Sequence, residues 1–281
     1  NKIRGFFGGA FNTIAGGSQN QISGDYGFIA GGASNHLSGD LGSVIAGYTN
    51  SITGDSSVIA GGRKNGINGP ENVIGGGYGQ NLSGTRSTIG GGYSNWIQGK
   101  QYSTIAGGHT NRVANSYGFI GGGTLNGATG LNTVVVGGNT VVASGAAAFA
   151  GGGATNATTG NYSTIIAGYQ NSSCAHTGYQ FLGGGRQNTL YGSYAFLGGG
   201  YLNTITEGDY STIGGGKNNT ASASFYSTVG GGEYNTIWES AHGGISTGRS
   251  NKVKYATHSN IGGGEANQIF DHGAGHSTIG G

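Results

Sequence analysis

At 281 residues, with 67 glycines, one proline, no methionine and only 8% charged residues, the chain does not have the composition of an ordinary globular domain. Its 12 basic and 10 acidic residues are scattered, leaving a net charge of +2 and no basic run to follow a phosphate backbone, which argues against nucleic-acid binding. Glycine does not recur at every third position, so collagen is excluded, and the lone Cys174 excludes an intrachain disulfide framework or a thiolate metal site.

One unit repeats along the chain, most plainly from Ile74 to Gly108. An apolar residue is followed by two or three small ones, an Asn or Gln comes six residues after it, a second apolar residue at eight and a Gly at ten. The first apolar position runs through Ile14, Ile29, Ile45, Ile59, Ile74, Ile89, Ile105, Ile120, Val135, Ala150, Ile166, Leu182, Leu197, Ile213, Val229, Ile245, Ile261 and Ile279, mostly 15 or 16 residues apart. A fixed period of this size is the signature of a stacked architecture. Two short strands per unit, separated by turns that Gly permits, predict an all-β parallel β-roll or β-solenoid of about 18 coils. With coils about 4.8 Å apart, the rod would be on the order of 85 Å long. The apolar runs are too short for a membrane span.

In chain order, residues 1–13 read as an abbreviated unit in which Phe6-Phe7-Gly8-Gly9 leads to Asn12 and Ile14. From Ile14 to Gly69 the units are regular, with Asn20, Asn35, Asn50 and Asn65 each followed two residues later by Ile22, Leu37, Ile52 and Ile67; Pro70 then follows a Gly-closed turn. Residues 125–173 loosen, with smaller residues at the apolar positions, which reads as a change in girth and not as a boundary. Regularity returns from Leu182 to Ile237, and residues 239–281 depart again, Ser246-Thr247-Gly248 replacing three glycines. The whole of 1–281 reads as one repetitive rod, a segment of a longer chain.

The repeated amides Asn20, Asn35, Asn50, Asn65, Asn95, Asn111, Asn126, Asn188, Asn203, Asn219, Asn235, Asn251 and Asn267 are expected to stack as a ladder, each bonding its neighbours above and below. Two or three apolar side chains per coil make a thin interior. Glycine triplets at one height suit backbones crowding a shared axis, which points to a coaxial homotrimer.

Units such as Gly208 to Ser224, GDYSTIGGGKNNTASAS, and Gly160 to Ser173, GNYSTIIAGYQNSS, resemble the repeats of trimeric autotransporter adhesin heads of the YadA-like kind. They are also similar to Gly-rich repeats of phage tail fibres. The resemblance covers nearly the whole chain and implies a left-handed parallel β-roll trimer, secreted or virion-borne, that adheres to surfaces. The family's units are closer to 14 residues and prefer Ala where this chain has Gly-Gly-Gly and Asn.

Candidate chemistry is sparse. Gly244-Ile245-Ser246-Thr247-Gly248 matches a nucleophile elbow in spelling, without a strand–turn–helix context. Asp25, Asp40 and Asp55 share one slot in consecutive coils, so a bridging Ca²⁺ is one candidate and solvated turn carboxylates the other. His258, His272 and His276 are a candidate metal set only if the coils bring them together. Tyr162, Tyr210 and Tyr226 precede the first strand while Tyr78, Tyr93 and Tyr201 follow the glycines, giving aromatic strips suited to sugar rings, to flat partners or to self-stacking. Sequons occur at Asn81, Asn156, Asn161, Asn171 and Asn218.

These readings converge on a non-enzymatic, cofactor-free structural and adhesive fibre, extracellular, cell-surface or virion-associated. Its expected partners are itself, as homotrimer or filament, and a carbohydrate or host surface. The alternatives are a phage tail-fibre or virion-spike shaft and an ice- or glycan-binding monomeric solenoid.

Overall fold

The computed structural model describes residues 1–4, 11–174, 178–271 and 275–281, and the described residues contain strands, turns and bends without a helix. The 36 strands among the described residues are two or three residues long and come two to a repeat, so the chain is a parallel β-solenoid of about 18 turns. It divides into two compact units built on one plan, Asn1–Thr140 and Val141–Gly281.

In the first unit, one sheet contains strands such as Val73–Ile74, Thr88–Ile89 and Thr104–Ile105, each paired in parallel with its equivalent one turn on. The second sheet contains Asn81–Leu82, Trp96–Ile97 and Arg112–Val113, with Asn81 opposite Trp96 and Ile97 opposite Val113. The second unit repeats this with Phe181–Leu182, Phe196–Leu197 and Thr212–Ile213 in its first sheet, and Thr204–Thr206, Thr220–Ser222 and Thr236–Trp238 in its second. Side chains alternate along a strand, so Thr88 faces out while Ile89 faces in. Ile74, Ile89, Leu82 and Ile97 in the first unit and Leu182, Leu197, Ile205 and Ile237 in the second are fully buried, each worth about 1.5–3 kcal/mol relative to exposure.

Two anchors move by one residue. Val44 and Ile165 are buried, whereas Ile45 and Ile166, read from sequence as core, are 45% and 43% exposed. Two adjacent apolar residues hid the register there; buried Gly42 and Ser163, two positions before the true anchors, fix it. The start of the chain also differs. Lys2–Ile3 pairs with Gln21–Ile22, and Asn1 Oδ1 accepts the Asn20 N–H at 3.0 Å, so Asn1 heads the Asn row. Asn12 sits in the opposite corner, donating to Gly24 O at 2.7 Å and accepting from Gly27 N–H at 2.6 Å. Phe6 to Gly9 lie outside the described residues.

The loosened stretch keeps its register. In the first unit Val113 pairs with Ala128, and in the second Ala143 pairs with Thr158 and Thr158 with Ser173. Small or hydroxyl side chains simply replace Ile at buried positions, so the interior is thinner there without a change of winding. In the last turns Gly244–Ile245 and Asn260–Ile261 also keep the pairing.

Hydrogen bonding runs along the axis in both directions. Strand N–H groups donate forward, Thr88 to Ser103 O at 2.9 Å and Trp96 to Asn111 O at 2.8 Å. Corner N–H groups donate backward, Ser94 to Tyr78 O at 2.8 Å and Tyr102 to Thr85 O at 3.0 Å. The reversal is made by left-handed backbone, with φ of +51° at Ser94 and +54° at Tyr102. A residue bearing a side chain adopts this conformation at about 1–2 kcal/mol. The bond formed offsets that cost, because a buried unpaired N–H costs a comparable amount.

Candidate functional site

From Asn20 to Asn251 the amides of the row are buried in both units, but their bonding differs from an amide-to-amide ladder. Asn203 Nδ2 donates to Gly199 O and to Gly216 O, both at 2.9 Å, and its Oδ1 accepts the Asn219 N–H at 2.9 Å. The asparagine amides from Asn20 to Asn251 therefore tie their own small-residue triplet to the triplet of the next turn. Asn35 in addition reaches Asn20 Oδ1 at 3.1 Å. Besides Asn1, three members stand outside the thirteen asparagines expected to stack, the first of them the Gln that the repeat allows at this place. Gln80 holds the slot with Oε1 accepting the Asn95 N–H at 2.9 Å, while its Nε2 is buried without a partner.

Asn156 and Asn171 are the other two, which corrects their reading as glycan acceptors. Both are 1% exposed, and each Nδ2 already donates to two carbonyls: Gly152 O and Gly168 O, and Ala167 O and Gly185 O. A sugar on either nitrogen would break the row. Asn81 and Asn161 are exposed and Asn218 is half-buried.

The carboxylate column is part of the backbone network. Asp40 Oδ1 accepts the Asp25 N–H at 2.7 Å, and Asp55 Oδ1 accepts the Asp40 N–H at 2.8 Å. In the second unit Asn161 Oδ1 accepts the Ala146 N–H at 2.8 Å and Asp209 Oδ1 the Ser193 N–H at 2.7 Å. A neutral amide performs the same task, so the slot calls for an acceptor and not for a charge, and no cation is assigned to it. Among the described residues no three His, Cys, Asp or Glu side chains form a metal-holding group. Gly244 to Gly248 is an ordinary coil strand: Ile245 points inward, and the Ser246 N–H donates to Ile261 O at 3.0 Å.

Tyrosines form two columns. One follows the glycines, where Tyr78 stacks on Tyr93 at 5.2 Å and Tyr93 on His109 at 4.9 Å. Here guanidinium groups lie between rings, Arg63 over Tyr48 and Tyr78, and Arg186 over Tyr169 and Tyr201, all within 5.9 Å. The other column occupies the left-handed corner before the first strand. In the second unit it is unbroken: Tyr162, Tyr179, Tyr194, Tyr210, Tyr226, His242 and His258 stack with centroids 4.7–5.1 Å apart and planes within 11° of parallel. His276 continues it at 4.9 Å, tilted by 36°.

Thus His258 and His276 come together as neighbouring, mutually tilted rings that extend a tyrosine column; His272 lies outside the described residues. Tyr179 had been hidden by the longer turn before it. The slot holds rings because the left-handed corner projects one side chain per turn at strand spacing, close to the separation at which aromatic rings attract.

Within this column the Tyr210 phenol is pushed above its ordinary range, first by burial against its neighbours, then by Tyr194, Tyr226 and Asp209. The folded chain thus holds this proton more tightly than the unfolded chain. The resulting stabilisation is complete below the ordinary tyrosine range and is lost as pH rises through the folded value. Ultraviolet titration of phenolate should show a late-ionising fraction that disappears in Tyr210→Phe; superimposable curves would contradict the assignment. Elsewhere, Arg86 bonds Glu71 at 2.5 Å and the Tyr102 hydroxyl at 2.8 Å, holding the Glu71 carboxyl below its usual range. These side chains are about half exposed, so the pair adds little stability.

No family model matches this chain, and no curated protein matches its sequence.

Proposed function

We propose that this chain is the structural segment of an extracellular fibre, a repetitive scaffold whose outer columns attach it to a host surface, glycan or matrix. The observation that carries this reading is the unbroken aromatic column from Tyr162 to His258, one exposed ring per turn in a fixed backbone conformation. The interior amides of the Asn row serve the fold, so recognition falls to the outer columns.

The ring faces cover one another, which leaves edges and phenol hydroxyls toward solvent. Such a strip suits hydrogen bonding and flat contact along a polymer better than stacking of sugar rings on open faces. Copies of the chain are proposed to assemble coaxially as a homotrimer at a cell surface or on a virion, where a tail-fibre shaft would use the same coil. A monomeric ice-binding solenoid would need a regular Thr array, and Phe28, Phe119, Phe181 and Phe196 interrupt it.

The test is retention of beads coated with the chain on glycan and matrix surfaces. It compares the native chain with a variant carrying Tyr179→Asn, Tyr194→Asn and Tyr210→Asn. Asn tolerates the left-handed backbone, so the coil is preserved. Loss of most of the retention is expected; a variant that adheres as well as the native chain would remove the aromatic column from the proposal.

A further inference from the structure

In six turns the small-residue triplet contains one glycine that the chain itself does not need, whereas Gly76, Gly184 and Gly199 at the equivalent place have φ of +158°, +149° and +149°. The third requires left-handed backbone: Gly232 has φ +91°, and a Cβ there would lie 2.0 Å from Gly248 O. The middle one differs. At Gly31, Gly61, Gly107, Gly122, Gly152 and Gly231 an added Cβ would meet nothing within 4 Å, and none has left-handed backbone. Ala46, Ala167 and Thr247 occupy the same slot, so it accepts a side chain. Something outside the chain therefore favours glycine at those six positions of the column.

The column borders the outer face of the first sheet, which is uncharged in both units. None of the 12 basic and 10 acidic residues occupies a strand position of that sheet or the small-residue triplet after it. Its outward positions hold Thr, Val and exposed phenyl rings, among them Phe119, 39% exposed, and Phe196, 42% exposed.

We propose that this face is where a second copy of the chain docks, the rings of one copy seating over the glycine column of the other. The face offers projections and hollows at a single repeat, so it is complementary to itself. A flat lattice such as ice or a crystalline polysaccharide has no hollow for a phenyl ring, and a charged partner finds no counter-charge. The inference rests on the fibre reading and names the surface through which the fibre assembles.

The test is the light-scattering mass of the full chain over a range of concentrations, for three proteins. These are the native chain, Gly122→Lys with Gly231→Lys in the glycine column, and Ser51→Lys with Thr220→Lys on outward positions of the second sheet. Lys252 already occupies an equivalent outward position in the second sheet, so the control changes are tolerated there. The native chain and the second-sheet variant are expected at a common multiple of 27.9 kDa, three for the coaxial assembly, and the glycine-column variant at 27.9 kDa. Circular dichroism should show the native strand signal in all three; a fourth protein, Gly122→Ser with Gly231→Ser, carries a smaller addition and should associate more weakly than the native chain without becoming wholly monomeric.

A native chain at 27.9 kDa at every concentration would overturn both this inference and the coaxial assembly, as would a monomer that adsorbs to ice or crystalline polysaccharide. A multiple mass retained by Gly122→Lys with Gly231→Lys at every concentration would overturn the face alone and leave the fibre standing.

Discussion

Asn203→Ala is expected to lower the unfolding free energy by about 2–4 kcal/mol in urea titration. The loss follows from what the amide holds. Gly199 O is left without its donor and the Asn219 N–H without its acceptor, whereas Gly216 O keeps a second donor in the Tyr201 N–H. An orphaned buried donor or acceptor costs about 1–3 kcal/mol. Gly199 O is only partly buried and recovers some of that from water, which sets the lower end. If Asn203→Ala leaves no folded population, Asn203→Gln supplies the graded measurement, because Gln80 shows that the longer amide keeps the acceptor and loses both donations. The same logic runs in reverse at position 80. Gln80→Asn places an amide nitrogen where its equivalents reach two carbonyls, and should stabilise the first unit by about 1 kcal/mol. A loss under about 0.5 kcal/mol for Asn203→Ala would mean that the row is not what clamps the turns together.

Much of this architecture was legible because the code is short. The repeat length, the two inward apolar positions and the shared Asn slot all follow from counting, since a coil that stacks on its copy must return each residue type to the same place. The bonding of that slot was not legible, because an Asn column suits an amide-to-amide ladder and an amide-to-backbone clamp equally well until the glycine carbonyls are located. The left-handed corners were hidden for a related reason. Gly and Asn normally advertise positive φ, yet here Gln19, Lys64, Tyr102, Leu125 and Tyr226 adopt it. They do so because a reversed peptide satisfies an axial hydrogen bond that propensity knows nothing about. Tyr179 and the histidine extension of the aromatic column were missed because turns of unequal length shift the count. Asp25, Asp40 and Asp55 left a bridging cation and solvated turn carboxylates both open because sequence shows charge and not the N–H groups that the carboxylates face.

Gly232→Ala is expected to destabilise the chain by about 3 kcal/mol or more, and its neighbour Gly231→Ala to leave the unassembled chain unchanged or stabilise it by about 0.4–1 kcal/mol. At Gly232 two penalties coincide. The backbone is left-handed at φ +91°, and the new Cβ would stand 2.0 Å from Gly248 O and 2.7 Å from Asn235 Nδ2. Neither neighbour can retreat: the carbonyl is fixed by the axial bond from the Glu233 N–H at 3.0 Å, and the amide by its own bonds to Gly231 O and Gly248 O. At Gly231 the Cβ meets nothing, and the backbone conformation is open to Ala. Restricting the unfolded chain then works in favour of the fold. Thermal melts at low concentration read this contrast directly, and equal losses at the two sites would show that the triplet is constrained as a whole from within. Unequal losses would leave Gly231 without a reason inside the chain. The residue then has to be explained by what lies against it, and association measured by mass, not stability measured by melting, becomes the property that this glycine controls.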